Sequence, residues 1–374
     1  MADRTALTTE PQGSSDAGLP LAVKLIILIG LLYLFMLSIT MLGTAFKLMG
    51  RDVAEAILQT TSNPLVGLVI GILATSIIQS SSTTTSLVVG MVGTAALSFE
   101  NAVPIIMGAN IGTTVTNTIV SLAHISRGEE FKRAFAGSTV HDFFNLCAVI
   151  VLLPIEEMFG IISFSSHLVE EIFAGSGGLE FTSPLGAVTK PVAKYLAHML
   201  GDNGWMIAVL ALILLFIALR YIVVTLKSMV LSKVEQFFDR YIFRNAALGL
   251  VLGIALTTVV QSSSITTSLV VPLIGAGVLT MSQIFPYVLG ANVGTTITAF
   301  LASLAVGSHE AVSIAFAHLL FNIYGIAIFW PLKRIPIYLS ETLAELTQRS
   351  KLIPLLYILV VFFIIPGLII YFLG

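Results

Sequence analysis

Seven long apolar stretches, separated by shorter polar connections, dominate the chain. A transmembrane helix needs about 20 mostly apolar residues, so each stretch predicts one membrane crossing. The predicted crossings are residues 21–42, 102–122, 135–153, 205–224, 284–304, 311–331 and 352–372. The chain is 56% hydrophobic and 10% charged, whereas soluble domains are about 25% charged. The sequence therefore predicts an all-α integral membrane protein, with the first crossing a retained helix and not a signal peptide.

Two nearly identical polar clusters interrupt the remaining apolar sequence. Residues 79–89 read QSSSTTTSLVV and residues 261–271 read QSSSITTSLVV, at an offset of 182 residues. Each cluster lies between two apolar runs that are too short to cross a membrane separately. Consecutive polar groups in a hydrophobic segment are costly unless they line a cavity or are buried in protein. We therefore expect two re-entrant helical hairpins, at about 64–98 and about 246–281.

The duplication extends beyond the two clusters. GANIGTTVT at 108–116 returns as GANVGTTIT at 290–298 with the same offset, and HDFFN at 141–145 matches HLLFN at 318–322. Glycine costs a helix interior about 1 kcal/mol relative to alanine, so the paired glycines predict a broken transmembrane helix in each repeat. Close packing through small residues is the alternative reason for these glycines.

Basic residues predict the orientation of the repeats. With the N-terminus in the cytoplasm and the hairpins returning to the side they entered, all Lys and Arg residues except Lys47, Arg51, Lys190 and Lys194 lie inside. The two repeats then have inverted topology, an architecture found in secondary transporters. The predicted organisation is a disordered tail at 1–20, a first repeat at 21–160, an extracellular linker at 161–202, a second repeat at 203–351 and an additional C-terminal helix at 352–374.

The repeated clusters are the predicted ligand site. A helix that starts at a hairpin tip exposes unpaired backbone N–H groups and the positive end of its dipole, which favour an anion. Serine hydroxyls and glutamine amides add adaptable hydrogen bonds. Such donors suit a tetrahedral oxyanion, but they do not select among phosphate, sulfate and arsenate. An uncoupled anion channel and a scaffold whose hydroxyls only pack helices are the alternative interpretations. The candidate anion-binding residues are Gln79, Ser80, Ser81, Ser82, Asn110, Thr113, Gln261, Ser262, Ser263, Ser264, Asn292 and Thr295.

Asp142 is an acidic residue inside a predicted crossing, where a lone carboxylate indicates a cation or proton site. An ion pair with Lys132 or Arg133 is the structural alternative. The matched residues His141 and His318 fit either a proton relay or a hydrogen-bonded core. Cys147 cannot form an intrachain disulfide, because it is the single cysteine. No transition-metal ligand set, catalytic motif or nucleic-acid-binding basic patch is present in the sequence, so we expect neither an enzyme nor a nucleic-acid partner.

The doubled QSSS at Gln79 and Gln261, GANIGTTVTNTIV at 108–120 and FKRAFAGSTVHDFFN at 131–145 resemble the type II sodium-dependent phosphate cotransporter family. The resemblance implies sodium-coupled uptake of inorganic phosphate by alternating access, with sodium as the coupling ion and no other cofactor. Electrogenic members of that family have an aspartate where this chain has Asp142, which implies one net positive charge moved per cycle. The implied sodium-binding residues are Asp142, Asn145, Ser138, Gln79, Thr83, Gln261, Thr295 and Asn322.

The segment between the repeats differs from that of animal members of the family. It is short, contains no cysteine and has no Asn-x-Ser/Thr glycosylation sequence. This resembles a bacterial member, so we expect a multi-pass protein of the bacterial inner membrane, surrounded by lipid, as a monomer or a dimer. Our topology places the C-terminus outside, whereas the family is usually drawn with both termini inside, and we expect 352–372 to pack at the periphery.

Overall fold

The computed structural model describes residues 20–126, 128–175, 184–238 and 245–374. The predicted N-terminal tail therefore lies outside the described residues, apart from Pro20. So do Arg127, Arg240 and Arg244, which contributed to the predicted orientation. Within the described ranges the regular elements are all helices, joined by short connections.

Helices of the first half are α1 (Leu21–Met49), α2 (Arg51–Thr60), α3 (Pro64–Ile78), α4 (Ser81–Gly93), α5 (Phe99–Gly112), α6 (Val115–Ser121) and α7 (Gly128–Phe159). The segment between the repeats forms α8 (Ile161–Gly175) and α9 (Pro184–Met199). Helices of the second half are α10 (Gly204–Phe238), α11 (Ala246–Val260), α12 (Ser263–Ser268), α13 (Val271–Gly275), α14 (Met281–Val306), α15 (His309–Phe329), α16 (Arg334–Leu346), α17 (Ile353–Leu359) and α18 (Ile365–Leu373).

Seven helical segments of the described chain are long and apolar enough to span a membrane, which confirms an all-α integral membrane protein. Their bounds are Leu21–Met49, Phe99–His124, Gly128–Phe159, Gly204–Leu226, Met281–Val306, His309–Phe329 and Ile353–Leu373. Each coincides with one of the seven predicted crossings. The helices on both sides of the QSSS clusters are shorter, as the sequence predicts.

Local sequence determines where the matched helices begin. Asn63 and Asn245 occupy the N-cap positions of α3 and α11, and each side chain accepts a hydrogen bond from the backbone N–H two residues later. Ser80 and Ser262 cap α4 and α12 by accepting from the N–H three residues later. Asparagine and serine are preferred at such positions because their side chains satisfy otherwise unpaired N–H groups. The two repeats therefore start their paired helices by the same mechanism.

The glycines of the repeats bring matched helices into close contact. A Cβ added to Gly108 of α5 would lie 1.9 Å from the carbonyl oxygen of Leu68 in α3, and one added to Gly290 of α14 would lie 2.1 Å from that of Leu250 in α11. Only a glycine permits such close approach of two backbones. These residues pack α3 against α5 and α11 against α14, so the small-residue interpretation holds for both glycines.

The two halves also pack against each other. Helix α4 of the first repeat contacts α14 and α15 of the second, and α13 of the second repeat contacts α7 of the first. Helices α1 and α10, which open the two halves, pack along each other. Buried hydrophobic residues from both repeats form one core cluster, which includes Ile106, Phe144, Phe285 and Phe321. The two repeats therefore share one core, and the polar clusters lie in contact between them.

One predicted helix break is present and the other is not. Helix α5 ends at Gly112 and α6 begins at Val115, so the first GANxGTT segment is broken as expected. Helix α14 continues through 290–298, and the break predicted there was wrong. The hydroxyl of Thr114 is hydrogen-bonded to His141, whereas that of Thr296 bonds back to Val293 O within its own helix. The second repeat is interrupted elsewhere, between α12 and α13, just before Pro272.

Candidate functional site

Both QSSS clusters contain a sharp break in the helical backbone at their glutamine. Gln79 and Gln261 have φ of 59° and 56°, in the left-handed region that non-glycine residues seldom adopt. Helices that end in this conformation usually place glycine there. Both positions carry glutamine instead, whose side chain makes contacts that glycine could not make.

The glutamine side chains connect each break to its neighbouring helix. Gln79 accepts a hydrogen bond at Oε1 from Thr116 at 2.7 Å, and Gln261 accepts one from Thr298 at 2.8 Å. Their Nε2 groups donate back to Ser76 O and Thr258 O. Because both repeats make the same contacts, the two turns have the same side-chain framework.

The two tips lie next to each other. The hydroxyl of Ser82 in the first cluster is 3.4 Å from Gln261 O in the second and 3.4 Å from the hydroxyl of Thr298. Ser264 in the second cluster donates to Thr113 O in the first repeat at 3.4 Å. Residues that are far apart in sequence thus form one polar contact region between the repeats.

A cavity of about 360 Å³ lies at this contact. Its volume falls within the range of about 300–1,000 Å³ typical of small-molecule sites. Eight of the candidate anion-binding residues line it, namely Gln79, Ser80, Ser81, Ser82, Gln261, Ser262, Ser263 and Ser264. The other four, Asn110, Thr113, Asn292 and Thr295, are buried and do not line it.

The two tips differ in the helix that follows them. Helix α4 has 13 residues, and the N–H groups of Ser81 and Ser82 precede its first backbone hydrogen bond, from Thr84 N to Ser80 O. These groups have no partner within the helix and can donate to a bound anion. Helix α12 has only six residues, so its dipole is small. The N–H groups of Ser263 and Ser264 likewise precede the first helical hydrogen bond, from Thr266 N to Ser262 O, so the second cluster differs in its weaker dipole and not in its donors.

Arg220 of α10 also lines the cavity. Neither cluster contains a Lys or Arg residue. The distribution of basic residues in the sequence placed Arg220 on the cytoplasmic side and did not predict that it contacts the ligand site. A guanidinium is a strong donor to phosphate-like oxygens. The signal that could have identified it is its position within an apolar helix, four residues inside the predicted end of the crossing at Val224.

Behind the cavity, two histidines link the repeats in a reciprocal arrangement. His141 of the first repeat is hydrogen-bonded through Nε2 to Asn292 Oδ1 of the second, and His318 of the second is bonded through Nε2 to Asn110 Oδ1 of the first at 3.2 Å. Both histidines are fully enclosed. These contacts favour the interpretation as hydrogen-bonded core residues over a proton relay.

Asn145 is hydrogen-bonded to this network. Its Oδ1 accepts from Asn292 Nδ2 at 2.9 Å, and its Nδ2 lies 3.4 Å from Asn110 O. The matched Asn322 donates to His318 O, and its Oδ1 has no hydrogen-bond partner in the described structure. The two halves of the network are therefore not equivalent.

Asp142 occupies a different environment from Asn145. It has no exposed surface, and its Oδ2 accepts a hydrogen bond from the hydroxyl of Tyr357 at 3.0 Å. Lys132 is instead paired with Glu345 at 3.6 Å, and Arg133 donates to Gly275 O at 2.9 Å. The structural alternative of an ion pair at Asp142 is therefore not realised in the described structure.

The remaining candidate sodium ligands are satisfied locally. Ser138 donates to Phe135 O, Thr295 donates to Ala291 O and Thr83 donates to Ser80 Oγ, each at 2.9 Å. The structure thus brings eight of the twelve candidate anion-binding residues together around one cavity, and no described hydrogen bond joins one candidate sodium ligand to another. Tyr357, in the C-terminal segment expected at the periphery, is the partner of Asp142 that the sequence did not suggest.

These features define a class, a multi-pass helical membrane protein with a polar cavity between two repeated helix breaks. The family model described as Na+/Pi-cotransporter matches residues 34–168 and 214–344. The chain belongs to this family.

Curated relatives support the same assignment. Sodium-dependent phosphate transport protein 2A of Rattus norvegicus is 34% identical over 427 residues, covering 93% of this chain and 67% of the relative. Sodium-dependent phosphate transport protein 2B of Homo sapiens is 32% identical over 442 residues, covering 92% of this chain and 64% of the relative. The chain thus spans about two thirds of the length of these relatives. No solved structure matches it.

Proposed function

We propose that this protein is a sodium-coupled symporter that carries inorganic phosphate across the membrane by alternating access. Its relatives are named as sodium-dependent phosphate transport proteins. The observation that carries the proposal is the cavity at which the Gln79–Ser82 and Gln261–Ser264 clusters meet. A site formed by both halves of a duplicated membrane protein can be exposed to either side when the halves move relative to each other.

Phosphate would be bound by hydroxyls, backbone N–H groups and one cation. The N–H groups of Ser81 and Ser82 and the positive end of α4 attract an anion. The second cluster supplies hydroxyls from Ser262, Ser263 and Ser264. Because α12 is too short for a strong dipole, Arg220 provides positive charge close to that cluster.

Sodium would be transported with phosphate. Asp142 supports this assignment, since it is a buried carboxylate whose Oδ1 has no hydrogen-bond partner in the described structure. A buried carboxylate is costly unless a positive charge compensates it. Two sodium ions neutralise a divalent phosphate, and a third paired with the fixed Asp142 leaves one net charge moved per cycle. Transport is therefore electrogenic in this proposal.

We also infer a bacterial plasma membrane location, with the N-terminus in the cytoplasm and inverted repeats. The distribution of Lys and Arg and the short, cysteine-free linker support these inferences.

The proposal is tested by phosphate flux into proteoliposomes, with and without an inward sodium gradient and at a clamped potential. We expect accumulation of labelled phosphate only with the sodium gradient, and faster uptake when the vesicle interior is negative. Uptake should disappear when Ser81 and Ser263 are both replaced by alanine, while the variant still reconstitutes into liposomes as folded protein. Equal flux without sodium would indicate an uncoupled channel, and competition by sulfate would indicate a different oxyanion.

A further inference from the structure

The C-terminal helical segment, which has no counterpart in the first repeat, reaches the buried carboxylate of the first repeat. Tyr357 of α17 donates its hydroxyl to Asp142 Oδ2 at 3.0 Å, across 215 residues of sequence. Asp142 is fully enclosed, and its second oxygen, Oδ1, has no hydrogen-bond partner in the described structure. One oxygen of the carboxylate is therefore fixed, and the other retains its lone pairs.

Three aromatic rings hold Tyr357 in this position. Phe143 stacks on it with ring centroids 6.2 Å apart, and Phe135 and Phe362 contact it edge-on at 6.5 and 5.9 Å. Aromatic pairs prefer such stacked and edge-on geometries. Because the ring is enclosed on several sides, the direction of its hydroxyl is determined by packing.

The backbone beyond Tyr357 is also unusual. Helix α17 passes into a π-helical turn at Val360–Ile364, and α18 follows with Pro366 in its first turn. A π-helical turn inserts an extra residue and changes which side of the helix faces inward, and such turns are frequent at functional sites. The segment therefore departs from regular helix within one turn of the residue that contacts Asp142.

Packing alone does not account for the hydroxyl. Tyr357 is partly buried and uses its O–H as a donor to Asp142, whereas phenylalanine would fill the same aromatic position without that hydrogen bond. The neighbouring cations are engaged elsewhere, since Lys132 pairs with Glu345 and Arg133 donates to Gly275 O. Tyr357 makes a direct hydrogen bond to the Asp142 carboxylate, and Thr114 is the other side chain that interacts with this carboxylate.

We propose that Tyr357 is a positioning residue for sodium, holding Asp142 so that Oδ1 is directed to the ion. The C-terminal segment then contributes to the sodium affinity of a site whose carboxylate comes from the first repeat. This inference rests on the proposed function, because it takes sodium as a transported ion. It assigns a role to a helix that lies outside the duplicated part of the chain.

Tyr357→Phe tests the inference, with Tyr371→Phe as the matched control. Tyr371 lies in α18, is 80% exposed and contacts only Phe372 among the aromatic rings described. Two quantities are measured in proteoliposomes, the sodium concentration for half-maximal uptake and the sodium-dependent charge movement without phosphate. We expect Tyr357→Phe to raise the half-saturating sodium concentration about tenfold in both, since a hydrogen bond to a charged group is lost. The phosphate half-saturation at saturating sodium and all values for Tyr371→Phe should equal those of the wild type.

Repeating the Tyr357→Phe substitution in the Asp142→Gly variant tests whether Tyr357 acts through the carboxylate. If Tyr357 acts through the carboxylate, Tyr357→Phe changes nothing further in Asp142→Gly. An unchanged sodium dependence in Tyr357→Phe, or an equal shift in both backgrounds, would overturn the inference. Absence of sodium-coupled uptake in the wild type would instead overturn the proposed function, so the two failures are distinguishable.

Phe362→Leu tests the same inference without touching the hydroxyl. It removes the edge-on ring that supports Tyr357. We expect a smaller rise in the half-saturating sodium concentration, again absent in Asp142→Gly. If Tyr357→Phe does not yield folded protein, as judged by thermal unfolding in detergent, this variant decides the question: no shift in sodium dependence counts against the inference.

Discussion

His318 in the second repeat is hydrogen-bonded through Nε2 to Oδ1 of Asn110 in the first, at 3.2 Å. The reciprocal contact joins His141 to Asn292, so each repeat supplies one histidine and one asparagine to the other. The reciprocity is incomplete. His141 also contacts Thr114 at 2.5 Å and Asn145 at 3.3 Å, whereas Nδ1 of His318 has no hydrogen-bond partner in the described residues.

This difference predicts unequal costs for the same substitution. Both histidines are buried, so His141→Ala and His318→Ala leave similar volumes unfilled. His141→Ala also removes more hydrogen bonds, each worth about 1 kcal/mol. We expect it to be more destabilising than His318→Ala by about 1–2 kcal/mol in equilibrium unfolding in detergent. Equal destabilisation would mean that the extra contacts of His141 contribute nothing.

The left-handed glutamines predict a separation of stability from transport. In Gln79→Gly, relief of a backbone strain of about 1 kcal/mol offsets the lost side-chain hydrogen bonds of similar size. We expect thermal stability close to that of the wild type and phosphate uptake reduced at least about tenfold. Gln261→Gly should behave in the same way. Normal uptake by either variant would show that its amide is dispensable.

Arg220 is expected to contribute to phosphate affinity. Arg220→Gln should raise the half-saturating phosphate concentration about fivefold, because a partly exposed charge pair contributes up to about 1 kcal/mol. The effect should shrink at high ionic strength, since salt screens exposed charges. Arg349→Gln, at an exposed position away from the cavity, is the control and should leave uptake unchanged. A phosphate dependence of Arg220→Gln equal to that of the control would remove Arg220 from the site.

Asp142→Gly is expected to uncouple charge from transport. Removing the fixed carboxylate eliminates the site for the third sodium ion in the proposed function. Phosphate uptake should persist with two sodium ions per phosphate, while the phosphate-evoked current across a clamped membrane vanishes. Current that persists in this variant would assign the extra charge to another residue.

The close backbone contacts predict a strict requirement for glycine. Alanine at Gly108 would place its Cβ 1.9 Å from Leu68 O, and alanine at Gly290 would place it 2.1 Å from Leu250 O. Because a backbone atom cannot move aside as a flexible side chain does, we expect losses of at least about 1–3 kcal/mol. Gly30→Ala, with nothing within 4 Å of the added Cβ, should be neutral or slightly stabilising. Thermal unfolding in detergent distinguishes the three variants.

Local pattern was sufficient for the elements of this fold. Apolar length defined the seven spans, and the duplicated QSSS motif indicated where a new helix begins in each repeat. These features depend on neighbours in sequence, so they can be read from it.

Features that depend on distant contacts could not be read in this way. Tyr357 lies in a segment that is not duplicated, and its sequence does not distinguish it from other aromatic residues in apolar helices. Its role is visible only when α17 is placed beside α7. Arg220 resembles an ordinary cytoplasmic flank until α10 is placed beside the two tips. The continuity of α14, in which the Thr296 hydroxyl bonds back to Val293 O, likewise could not be distinguished in sequence from the matched break before α6.

The two repeats bend at different places. The first is interrupted between Gly112 and Val115, well after its QSSS cluster, and the second between Ser268 and Val271, directly after its QSSS cluster. An exchange of shape between the halves would therefore not reproduce the same arrangement. In the proposed carrier the two halves would have different hinges, and binding from one face of the membrane would not need to have the same rate as release at the other.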